Sequence, residues 1–120
     1  MDGLREFLEA VRQNQLVRGH FRALLNVVIG RRISRADGTV LSTGATWREL
    51  SDLLRVIRWD KELVREVGLN PDDLPPRNRQ RYWYAAILAA KVDTPEAREA
   101  GDAYARQVAK LGFVIGPGPG

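Results

Sequence analysis

The sequence predicts a mainly α protein: a compact bundle of about six helices, one short β-hairpin-like insertion (residues ~31–43) and a flexible Gly-Pro tail. Three observations carry this. Apolar residues recur at three- and four-residue spacing along most of the chain. Helix-starting and helix-stopping residues punctuate those stretches. The period breaks at one place, "RRISRADGTVLSTG", where Asp37-Gly38 is a strong tight-turn signal between β-branched residues. A chain of 120 residues suits a single domain, taken as residues 1–115 with 116–120 as the tail.

The first helix is expected from Gly3 to Gln13, with Leu4, Phe7, Leu8 and Val11 on one face, Arg5, Glu9 and Arg12 opposite, and Asp2 as N-cap. The second is expected from Leu16 to Ile29, buried through Val17, Phe21, Leu24, Leu25 and Val28, with Arg18, Arg22 and Asn26 outside and His20 hydrogen-bonded at the edge. After the hairpin, Thr46-Trp-Arg-Glu49 reads as a capping box in which Glu49 reaches back to the Thr46 amide. Trp47, Leu50, Leu53, Leu54 and Ile57 then form the inner face. Asp60 caps a short fourth helix that Gly68 ends in a left-handed residue, and Asn70-Pro71-Asp72-Asp73 starts another turn.

The fifth helix, Pro76 to Val92, contains "RNRQRYWYAAILAA", three alternating arginines running into three aromatics and then an apolar run. On a helical wheel its apolar residues cover ~240°, which predicts a central helix with Trp83 and Ile87 deeply buried and small residues packed against Ala97, Ala100 and Gly101 of the next. The sixth helix starts at Thr94-Pro95-Glu96 and stops at Gly112.

There is no cysteine, which excludes disulfides and thiolate chemistry, and a single histidine gives little material for a metal site. The apolar run Tyr82–Ala90 is about half of what a membrane span needs. The start, "MDGLREFLEAV", lacks the basic-then-apolar pattern of a secretion signal, so the protein is expected to be cytoplasmic. No glycine-rich phosphate loop opens a helix, Asp72-Asp73 reads as a helix start, and Ser34, Ser42 and Thr43 have only His20 as a conceivable base. The expectation is a non-enzyme without cofactor or metal.

Charge is the functional signal. Net charge is +4, and of 19 basic residues only Lys61, Lys91 and Lys110 are lysines. Arginine forks onto phosphates and stacks on bases, although a GC-rich genome also favours it. Residues 16–35 hold Arg18, Arg22, Arg31, Arg32 and Arg35 with no acid, and residues 77–92 hold Arg77, Arg79, Arg81 and Lys91 with none. Residues 60–73 and 93–103 each carry a net charge of −3. These eight arginines are the candidate nucleic-acid-binding residues, for DNA or RNA and mainly through backbone phosphates. The alternative is a protein-interaction or self-association module whose surface includes Trp47, Trp59 or Tyr82.

"TWRELSDLLRVIRWDKELVREVGL" resembles a helix-turn-helix in outline. It departs where the turn glycine would stand (Arg55), where a small alanine would stand (Ser51), and in carrying Glu62 and Glu66 on the would-be reading helix. It is therefore read as plain helix packing.

Overall fold

The computed structural model describes residues 2–16, 20–56, 60–73 and 75–117, and within these the side chains at 2, 60, 62, 63, 77 and 81 are outside the description. Six α-helices are found among the described residues: α1 Asp2–Gln13, α2 Phe21–Val28, α3 Trp47–Val56, α4 Asp60–Glu66, α5 Arg77–Val92 and α6 Pro95–Val108. Single 3-10 turns stand at Pro71–Asp73 and Ala109–Leu111. Three short strands, β1 Ile33–Arg35, β2 Val40–Ser42 and β3 Phe113–Ile115, form an antiparallel sheet in the order β2-β1-β3. The protein is mainly α with a small sheet, around one core that draws on every helix.

Helix α1 buries Leu4, Phe7, Leu8 and Val11, the residues its spacing selects, and pairs Arg5 with Glu9 on the wet side at 3.1 Å. It ends in a stop motif: the Gln15 amide donates to the Arg12 carbonyl (3.0 Å) and the Leu16 amide to the Val11 carbonyl (3.3 Å). Leu16 thus finishes α1, and α2 begins only at Phe21, so the continuous helix expected from Leu16 to Ile29 is not found. Apolar spacing could not reveal this, because a stop motif also wants an apolar residue just beyond the helix. Residues 17–19 lie outside the described residues. His20 occupies the N-cap of α2, exposed and making no side-chain cap hydrogen bond, which corrects its expected place at the edge of the stripe.

Gln15 holds φ at 56°, the left-handed conformation that the equivalent residue of α4, Gly68 (φ 85°), adopts freely. A side chain there costs ~1–2 kcal/mol, part of which glycine returns through its freer unfolded chain. Gln15→Gly is expected to raise stability by about 0.5–1 kcal/mol, read as a higher urea midpoint. A lower midpoint would contradict the stop motif.

The hairpin forms as expected. Gly38 has φ 94°, the Gly38 amide donates to the Arg35 carbonyl (2.9 Å), and the Thr39 amide donates to Asp37 Oδ1 (2.9 Å). That backbone donor holds the Asp37 carboxyl below its ordinary value. Two strands alone are marginal, and the third comes from Phe113–Ile115, apolar residues inside the expected domain to which the sequence reading gave no strand. Strand β3 pairs with β1 in the register Ile33↔Ile115, Ser34↔Val114, Arg35↔Phe113. The Gly116 amide continues the ladder onto the Arg32 carbonyl at 2.7 Å; residues 118–120 are outside the described residues. Phe113 enters the core edge-on to Phe7, ring centroids 5.1 Å apart.

The α3 cap is reciprocal but differs in one partner. The Glu49 amide donates to Thr46 Oγ1 (3.2 Å), while the Glu49 carboxylate accepts from the Thr46 hydroxyl (3.0 Å) where the amide was expected. Helix α6 is capped by Thr94, whose Oγ1 accepts from the Ala97 amide at 3.2 Å. Its buried stripe is Ala97, Gly101, Tyr104 and Val108, with Ala100 exposed. Burial also pushes the Tyr104 hydroxyl well above the usual tyrosine range.

Two expectations about α5 need correction. It packs mainly on α3, while α6 packs on α2, so the α5–α6 close approach is not the central contact. Its buried line is Tyr84, Leu88 and Val92, one residue per turn; Trp83 and Ile87 are half-buried and Ala86 and Ala90 exposed. Four of the ten apolar residues from Tyr82 to Val92 are alanine, and alanine tolerates solvent at little cost, so the apolar arc is wider than the surface the helix buries.

Candidate functional site

The two basic stretches meet only in part: Lys91, in the last turn of α5, stands next to Val92. The Asn26 side chain of α2 donates to the Val92 carbonyl at 3.2 Å, so α2 meets the C-terminal end of α5. Arg77, Arg79 and Arg81 lie at the other end of that helix, ~20 Å away at 1.5 Å per residue.

Within residues 16–35 the arginines have different surroundings. Arg31 is buried, its side chain 7% exposed, and its Nη2 donates to Asp102 of α6. Arg35 pairs with Glu6 of α1. Arg22 and Arg32 are exposed and make no ion pair among the described residues; Arg18 is outside them. The Arg31 pairing follows the charge pattern, since the −3 segment at 93–103 supplies Asp102.

At the start of α5, Arg79 is exposed, and the side chains of Arg77 and Arg81 are outside the described residues. Tyr82 follows, 57% exposed, with the Arg48 guanidinium of α3 stacked over its ring 4.6 Å from the centroid. Beside this stack runs a shallow groove of about 500 Å³ between α3 and α5, walled by Trp47 and Tyr82 and floored by Ala85, Ala86 and Ala89. Sequence reasoning named Trp47 and Tyr82 but missed Arg48. Its signal was available: Arg48 is the outward residue of the first turn of α3, next to Trp47. Trp59 lies outside the described residues.

On the other side of Trp47 is a deeper cleft of about 520 Å³, lined by charged residues of α5's end and α6. Among the described residues no group of three or more His, Cys, Asp or Glu is placed to hold a metal ion, and no helix is long and apolar enough to cross a membrane. The helix-turn-helix outline gives α3 and a seven-residue α4, with Lys61 and Arg65 exposed and the intervening turn outside the described residues. Compared with protein-family models, curated proteins and solved structures, the chain matches none.

Proposed function

We propose that this protein binds single-stranded nucleic acid, DNA or RNA, without catalysing a reaction, through the face where α3 meets the start of α5. The observation that carries the reading is the Arg48–Tyr82 stack on an exposed ring beside Trp47. Aromatic faces that accept stacked bases, flanked by arginines that reach phosphates, are how proteins hold single strands without reading sequence. Arg79 supplies one such cation, and Arg77 and Arg81 are its sequence neighbours. Arg22 and Arg32 are secondary phosphate contacts, while the ion pairs of Arg31 and Arg35 turn those two toward the fold itself.

Fluorescence anisotropy with a labelled single strand and its duplex tests the reading. Binding of the single strand should weaken with salt at a log–log slope of about −0.7 per phosphate neutralised. Tyr82→Ala should cost ~5–100-fold in affinity, the value of one stacked base. Arg79→Gln should lower affinity and reduce the salt slope, and Arg35→Gln should do neither. No binding at ~50 mM salt, or wild-type binding by Tyr82→Ala, would falsify it. A protein partner or self-association is then the better reading, favoured by Val40 and Val114, which flank Ser34 across the sheet and are 40% and 52% exposed. Sedimentation at two concentrations addresses that.

A further inference from the structure

The cleft behind Trp47 has a composition that the nucleic-acid reading does not use. Its buried element is Arg31, with a side chain only 7% exposed. A guanidinium carries five N–H donors in a planar fork. Here Nη2 meets one oxygen of Asp102, and Nε is buried with no acceptor among the described residues. Nε is sealed from the cleft, but Arg31 lines it and only one of its donors has a partner among the described residues, so the accessible edge of the guanidinium can take an added oxyanion.

The rim has the opposite surplus. Asp102 is 61% exposed and gives Oδ1 to Arg31. Asp93 is 54% exposed and receives both Arg98 contacts on a single oxygen, Oδ1, with Nε at 3.0 Å. Among the described residues each carboxylate therefore keeps an oxygen for a further donor. Trp47 and Ile29 add the apolar wall, and the volume of about 520 Å³ lies in the range that suits small molecules.

We infer that this cleft binds a small zwitterion, an α-amino acid with an apolar or aromatic side chain. The ligand carboxylate faces Arg31, its ammonium lies between Asp102 and Asp93, and its side chain rests on Trp47 and Ile29. A simple anion meets two carboxylates here and a simple cation meets Arg31 and Arg98, so either alone is opposed. A molecule carrying both charges is opposed by neither.

The test uses the whole chain labelled with ¹⁵N and titrated with L-phenylalanine, read by the Trp47 indole and the amides around Asp93 and Asp102. Saturable shifts at those positions are expected. N-acetyl-L-phenylalanine, which lacks the ammonium, and L-phenylalanine amide, which lacks the carboxylate, should each bind at least ~10-fold more weakly. Asp93→Asn, a change on an exposed side chain, should weaken L-phenylalanine in the same sense. The inference is overturned if L-phenylalanine gives no saturable shift in the cleft up to about 10 mM, or if either blocked form binds as well as the free amino acid. It does not depend on oligonucleotide binding, so the two readings fail separately.

Discussion

Gly101→Leu is expected to destabilise the protein by ~3 kcal/mol or more, the upper end of overpacking. Gly101 lies where α6 crosses α2: a Cβ added there would stand 2.8 Å from Asn26 Cβ and 3.4 Å from the Asn26 backbone carbon. Neither atom is the free end of a flexible side chain, so the helices must separate. Asn26 also ties this crossing together, donating to the Arg22 carbonyl (2.9 Å) and the Val92 carbonyl (3.2 Å), and a displaced α2 loses the second bond. Gly101→Ala separates the explanations by sign. In an open helical position it would stabilise by ~1 kcal/mol through propensity; at this crossing it should lower the urea midpoint.

Leu88→Ala should cost ~2–5 kcal/mol, the range for emptying a buried leucine site. Leu88 is fully buried in the α5 line between Tyr84 and Val92. Ile87→Ala, one position along and half-buried, should cost less than half as much, because water already reaches the site and little cavity is created. Equal losses in the two variants would mean that α5 is wrapped on several sides after all.

These two sites also show what sequence could and could not reveal. The punctuation was legible because it is local: Thr46 with Glu49, Thr94 before Pro95, Asp37-Gly38 and Gly68 each act within a few residues of themselves. Helix α1 was legible because its apolar stripe is narrow and unambiguous. Helix α5 misled because alanine counts as apolar on a wheel yet does not demand burial, so the wheel did not identify Tyr84, Leu88 and Val92 as the inner line. Strand β3 was missed because its three residues acquire a strand identity only by pairing with β1, far away in sequence. The site was legible in part. The aromatics and arginines of α5's start were visible, whereas the partner that lies over Tyr82 comes from α3. Nor does spacing say that Arg31 is buried, although the acidic segment opposite was the clue to Asp102.

The contact between Phe7 and Phe113 sets an order of events during synthesis. At ~5–20 residues per second, roughly 5–20 s separate the translation of the two rings. Through that interval the ring of Phe7 lacks its edge-on neighbour, and from the synthesis of β1 onward one flank of that strand has no pairing strand. The nascent protein therefore passes through a stage with an open strand edge beside an uncovered aromatic, the combination that invites pairing with a neighbouring chain. Helices can form early from local signals, but the sheet is sealed only when β3 arrives, so the protein's exposure to misassembly is set by the pace of the ribosome as much as by the strength of its core.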